Sequence, residues 1–292
     1  MSSPLTASRG VLVTGSSRGV GAAVARAFAE RGDRVVVHHR SPDSRERAEA
    51  VRAGLPGDGH VVLAADLADP DAVRVLADDA ATALGRVDVL VNNAAMIVAP
   101  RGGTGSRRGD HPLELTDYDD WVELWQHTIA TNLLGPANLT WCVARQMIDV
   151  PPADGVPVGR VVNVGSRGAY RGEPDIPAYG ASKAALHAFG QSMAQRLAPL
   201  GIAVTSVAPG FIETEMAGPA LEGEAGERTA RRAPSTGWPG RRRSRRPWWP
   251  SPTRGRCGRR ARCSTSTARA TCADGRHRIR RSGARRRATP SA

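Results

Sequence analysis

Lysine is almost missing from this chain: Lys183 stands alone against 40 arginines in 292 residues. Aromatic side chains make up only 4% of the sequence, and there are four cysteines. Cys257, Cys263 and Cys272 form no C-x-x-C pair, so they support neither a zinc site nor a disulfide frame. Cys142 lies in an apolar helical pattern that marks it as core, and no metal is expected. No apolar run reaches the roughly 20 residues that cross a bilayer, and the opening "MSSPLTASRG" carries no hydrophobic stretch of the secretory kind. The chain is therefore expected to be soluble and cytoplasmic, with no membrane partner.

Acid is the next scarcity, and it is local. Residues 234–292 carry 18 arginines and a single acid, Asp274, whereas residues 1–233 carry 23 basic and 27 acidic side chains. The net charge of +13 thus arises wholly in the tail. Spread over a whole domain, such a charge would suggest a nucleic-acid partner. Two regions are expected instead: a folded domain over 1–233 and an arginine-rich, unstructured tail over 234–292.

The folded region has a regular rhythm. Short β-branched runs, "GVLVTG" (10–15), "RVVVHH" (34–39), "HVVLAAD" (60–66), "VDVLVNN" (87–93), "GRVVNVGS" (159–166) and "IAVTSVAPG" (202–210), read as six strands buried on both faces. Alanine-rich segments with helical spacing lie between them, including one continuous helix over 116–148. Strand and helix in strict rotation predict an α/β fold, a doubly wound parallel sheet of the Rossmann type with helices on both sides. Residues 99–112 and 149–159, rich in glycine, proline and charge, read as surface insertions.

"TGSSRGVG" (14–21) places Gly15, Gly19 and Gly21 directly after the first strand and at the start of the first helix. Glycine permits the tight turn and close backbone approach, and a helix N-terminus offers unpaired N–H groups to a pyrophosphate. The spacing Gly-x-x-x-Gly-x-Gly resembles that of the short-chain dehydrogenase/reductase family, and the resemblance continues through residues 10–217. "NNAA" (92–95) is similar to the family's Asn-Asn-Ala-Gly, with Ala95 in place of glycine. Asn132 in "IATNLLG" falls where the family has its catalytic asparagine. Ser166 precedes Tyr179 by thirteen residues, "YGASK" supplies the Tyr-x-x-x-Lys pair, and "APGFIET" matches the loop after the sixth strand. Members resembling this chain include 3-oxoacyl carrier-protein reductases and glucose dehydrogenases.

Tyr179 and Lys183 are four apart on a predicted helix and share a face. A phenol, with a reference pKa of about 10, needs a neighbouring cation to act as an acid-base group near neutrality, so Lys183 is expected to lower it. Arginine's rigid fork is a poor substitute for a compact ammonium that must also reach a ribose hydroxyl, the family role of this lysine. The resemblance implies that Ser166 hydrogen-bonds the substrate carbonyl, Tyr179 donates the proton, and Asn132 helps hold a water that relays protons to Lys183. The implied reaction is hydride transfer between NAD(P)H and a small-molecule carbonyl or secondary alcohol.

The resemblance also implies the cofactor contacts: Gly15, Ser17, Arg18, Gly19, Val20 and Gly21 in the turn, Asp66 and Leu67 after the third strand, Asn93 and Ala94 after the fourth. Tyr179 and Lys183 join them, with Pro209, Gly210, Ile212 and Thr214 after the sixth strand. At the end of the second strand, where NAD enzymes place an acid, "HHRSPD" offers Arg40 and Ser41. NADP(H) is expected in preference to NAD(H), the alternative being that Arg40 is a solvated loop residue. His38 and His39 read as a strand end, not a metal site.

Family members continue with a further helix and a seventh strand, which "RRAPSTGWPGRRRSRRPWWPSPTRGRCGRR" does not supply. Both are expected to be lost. Read from the third base of each codon, "SRRPWWPSP" is compatible with Ala-Ala-Ala-Val-Val-Ala-Leu-Ala, and "RCSTSTARATCA" with a strand-like ending of the family type. The expectation is a frameshift near residues 229–238, with a homo-oligomer only where the C-terminus is restored. Should the tail stand as written, nucleic acid becomes its natural ligand. The alternative function is then a non-catalytic dinucleotide-binding or nucleic-acid-binding protein.

Overall fold

The computed structural model describes residues 8–101, 109–149 and 158–210. The expected tail, the boundary at residue 233, the loss of a final helix and strand, Ile212 and Thr214 all lie outside the described residues.

All six predicted strands form, β2 over its whole run and the other five a little shorter than theirs: β1 Gly10–Val13, β2 Arg34–His39, β3 Val61–Ala64, β4 Val89–Asn92, β5 Gly159–Val164 and β6 Ile202–Val207. The trimmed residues at the C-terminal ends belong to the loops that build the site. The strands pair in parallel in the order β3-β2-β1-β4-β5-β6. The chain winds outward from β1 to β3, then returns to the other side of β1, so a crevice opens between the ends of β1 and β4.

Alternation along the strands divides the core in two. Leu12, Val36, Leu90 and Val161 face α3 (Pro70–Leu84) and α5 (Gly135–Ile148), meeting Leu76, Leu139, Val143 and Met147. Val11, Val13, Val35, Val37, Val89 and Val91 face the opposite way, onto Val24, Ala25 and Phe28 of α1 (Gly19–Ala29) and Ala48 of α2 (Arg45–Ala53). Each fully buried Val, Leu or Phe contributes about 1.5–3 kcal/mol, offset by the ordering of the chain. At the β6 edge, by contrast, Ala203 and Thr205 are exposed.

Local signals set the helix ends. Asp69 caps α3 by accepting from the N–H groups of Asp71 at 2.9 Å and Ala72 at 3.3 Å, and Gly85 ends it in the left-handed conformation at φ 74°. Asp117 caps α4 (Tyr118–Ile129) through the Asp120 N–H. The helix expected over 116–148 is interrupted: a π-turn, Ala130–Leu134, joins α4 to α5. Its cause is Pro136, which has no N–H to give to the Asn132 carbonyl four residues back. The last long helix, α6 (Pro177–Leu197), precedes β6.

Candidate active site

The glycine turn after β1 is held by its neighbours before it meets anything else. Thr14 is fully buried; its hydroxyl donates to the Val91 carbonyl at 3.2 Å and accepts from the Asn93 and Ala94 N–H groups, each at 3.0 Å. The Asn93 side chain donates back to the Thr14 and Gly15 carbonyls at 2.8 and 3.1 Å. The turn and the "NNAA" segment are thus one bonded unit across the crevice. Gly15 sits at φ +61° and a Cβ there would stand 2.9 Å from the Ala94 Cα; at Gly21 a Cβ would stand 2.4 Å from the Gly15 carbonyl. Only glycine fits either position.

Helix α1 opens from this turn with no capping side chain and no acid in its first turn. Its first N–H groups and positive dipole end therefore suit an anion, the fit expected for a pyrophosphate. Ser17 and Val20 are half-buried beside it, and Arg18 and Gly19 are exposed. Arg40 is exposed at the end of β2 and has no ion-pair partner among the described residues. Ser41 begins a short turn and takes part in a reciprocal cap with Ser44. Asp66 is exposed, its carboxylate accepting from the Ala68 N–H at 3.0 Å, whereas the Leu67 side chain is buried in the core, leaving only its backbone for a ligand. The loops after β5 and β6 meet where Arg167 donates its N–H to the Pro209 carbonyl at 3.3 Å, with Gly210 exposed beyond.

Ser166 directly follows Gly165 at the end of β5, and its Oγ accepts from the Gly168 N–H at 3.1 Å. Tyr179 stands in the first turn of α6, with its phenol close enough to Ser166 for the serine to hold its pKa down. Lys183, one turn on, is 1% exposed; its Nζ donates to the Val164 carbonyl at 2.8 Å and lies 5.9 Å from the centre of the Tyr179 ring. The three side chains that the sequence separates by up to 17 positions therefore share one end of the sheet.

Their electrostatics differ from the sequence expectation. Burial raises the Tyr179 pKa above its ordinary value, opposed by the Ser166 hydrogen bond and reinforced by the negative charge of Glu173. Lys183 is itself stripped of water, and its pKa is lowered to about 8.

Asn132 lies in the π-turn. Its side chain is fully buried: Oδ1 accepts from the Met96 N–H at 2.8 Å, and Nδ2 donates to the Met96 carbonyl at 2.9 Å and to Ser182 Oγ at 3.2 Å. The amide clamps the loop after β4 to α6. Sequence reasoning missed Ser182, Glu173 and His38. Ser182 carries a faint signal, lying one residue before Lys183 with a hydroxyl in a buried helix face; the other two depend on loops that meet only in the fold.

Residues 9–225 match the family model for short chain dehydrogenases. The chain is 35% identical over 207 residues to a 3-oxoacyl-[acyl-carrier-protein] reductase of Synechocystis sp., covering 70% of this chain and 74% of that protein. Among solved structures it resembles a short chain dehydrogenase from Burkholderia cenocepacia in complex with NADP, with 35% identity, TM-score 0.62, and coverage of 77% of this chain and 82% of that one. A gluconate 5-dehydrogenase from the same organism, in complex with NADP and tartrate, is 30% identical with TM-score 0.59, covering 74% and 76% of the two chains. This chain belongs to the short-chain dehydrogenase/reductase family. It is an NAD(P)-dependent oxidoreductase acting on CH–OH or carbonyl groups.

Proposed function

We propose that the chain is an NADP(H)-dependent carbonyl reductase or secondary-alcohol dehydrogenase working through Ser166, Tyr179 and Lys183. The observation that carries this reading is the gathering of Ser166, Tyr179 and Lys183 at one end of the sheet, with the Lys183 ammonium 5.9 Å from the centre of the Tyr179 ring and held by the carbonyl of Val164, two residues before Ser166. Ser166 is placed to donate to the oxygen that becomes an alkoxide. Tyr179 delivers its proton to that oxygen, and its raised pKa keeps the proton available for reduction. Asn132 positions the loop after β4 through Met96.

The turn from Gly15 to Gly21 would hold the pyrophosphate, and Lys183 the nicotinamide ribose. When bound, the nicotinamide supplies the hydride to the substrate carbon. Arg40 and Ser41 would hold a 2'-phosphate; an exposed cation without an acid beside it suits a dianion better than a ribose diol. The NADP named with two of the solved relatives supports the same preference. Residues 1–233 are read as the reductase domain, with a cytoplasmic location and with assembly into a homo-oligomer only where the C-terminus is restored. Residues 234–292 are read as out-of-frame translation, a matter that the coding DNA across codons 220–292 decides.

The test is steady-state reduction of simple ketones with each cofactor. The wild type is expected to favour NADPH over NADH by about tenfold or more in kcat/KM, and Arg40→Asp to lose most of that ratio, as expected for one charge-assisted contact. A wild type that prefers NADH would overturn the assignment.

A further inference from the structure

His38 lies near the C-terminal end of β2, is 2% exposed, and continues the sheet face of Val36. Nothing in its strand pattern sets it apart, yet both ring nitrogens are engaged. Nδ1 accepts from the Gly15 N–H at 2.9 Å, and Nε2 lies 3.0 Å from the Ala65 carbonyl. A carbonyl can only accept and an N–H can only donate, so these partners require a neutral ring with its proton on Nε2. The His38 backbone adds two bonds to the same turn, its N–H donating to Ser16 Oγ at 2.9 Å and its carbonyl accepting from the Ser16 N–H at 3.0 Å.

We infer that His38 is a positioning residue for the dinucleotide end of the site, fixing the glycine turn after β1 to the loop after β3 through the two sides of one imidazole. The inference rests on the NADP(H) reading above for what the turn binds. Three consequences follow from the geometry. The Gly15 N–H is spent inside the fold, so the open donors of the turn are those further along, at the start of α1. The Ala65 carbonyl is anchored one residue before Asp66, which sets where that exposed carboxylate stands. Finally, Gly15 is held from two sides, by His38 and by the Asn93 amide, in a conformation that glycine alone adopts freely. Burial, reinforced by the neighbouring His39 and opposed by the Ala65 bond and Asp66, lowers the His38 pKa to about 4, in keeping with a ring that stays neutral at working pH.

Two measurements on the full chain decide this. Nitrogen-edited NMR of the histidine rings at pH 7 should show His38 as the neutral Nε2–H tautomer; a cationic ring or the Nδ1–H tautomer contradicts the inference. NADPH affinity and steady-state kinetics are then compared in wild type, His38→Leu and His38→Asn, whose Oδ1 can replace Nδ1 as acceptor for Gly15. The expected result is that His38→Leu raises the NADPH Kd and KM about tenfold or more, the loss of roughly one buried hydrogen bond, with kcat within about twofold of wild type. His38→Asn should return to within about threefold of wild type. A folded His38→Leu with unchanged affinity, or a folded His38→Asn as weak as His38→Leu, overturns the inference. Should His38→Leu fail to fold, the tautomer and His38→Asn against wild type carry the decision. A wild type that binds no NADPH refutes the cofactor reading alone, because the tautomer is measured without cofactor.

Discussion

Lys183 shows how a single residue can be costly to the fold and still be kept. Its ammonium is enclosed and donates to the Val164 carbonyl, and its pKa falls from 10.5 to about 8. Between those values the unfolded chain holds a proton that the folded chain has given up, so stability rises with pH across that window. Below about pH 8 the penalty is complete and constant. The difference in unfolding free energy between wild type and Lys183→Met should therefore grow in favour of wild type from pH 8 to 10.5, by up to about 3 kcal/mol, while the variant loses turnover. Urea unfolding at several pH values checks it; parallel pH profiles for the two proteins would contradict a buried, titrating lysine. The residue itself was legible, since a lone lysine four places after a tyrosine marks the pair. The direction of the Tyr179 shift was not, because it depends on burial, and burial is a property of the loops that close over α6.

At the scale of elements, the rod from α4 through α5 owes its π-turn to Pro136 and its docking to Asn132. A buried clamp of three hydrogen bonds links that turn to the loop after β4 and to α6. Asn132→Ala strands the Met96 N–H and carbonyl in the interior, each at about 1–3 kcal/mol. Loss of about 3 kcal/mol in urea unfolding is expected, with reduced turnover because the Met96 loop borders the crevice. An unchanged unfolding midpoint would mean that the clamp contributes nothing. All six strands were readable from their β-branched runs, and winding rules give parallel pairing. Their ends were overrun, since Asn93, Ser166 and Pro209 extend each apolar pattern although their backbones turn away to build loops. Pro136 stood in plain view inside the helix expected over 116–148, but a missing N–H can be met by a kink, a break or a π-turn, and the packing of α4 and α5 decides among them. Gly135 is needed because a Cβ there would sit 2.5 Å from the Leu67 carbonyl. His38 was opaque for a related reason: its bridge needs β1 to lie beside β2 and β2 beside β3.

For the molecule as a whole, the proposed function depends on one end of the sheet gathering loops from five strands. The glycine turn follows β1, Arg40 follows β2, Asp66 follows β3, the Asn93 segment follows β4 and Ser166 follows β5, while α6 brings Tyr179 and Lys183. The family match ends at residue 225, before the arginine-rich stretch begins, so the basic charge and the reductase pattern occupy different parts of the sequence. No described helix is long and apolar enough to cross a membrane. The central claim is that this assembly reduces carbonyls through Tyr179, and the most direct measurement is NADPH-dependent ketone reduction by wild type and Tyr179→Phe, with NADPH binding followed in parallel. The expected result is a fall in kcat of at least about a hundredfold, the usual contribution of a positioned acid, with NADPH affinity kept within about threefold. Turnover by Tyr179→Phe at the wild-type rate would contradict the account.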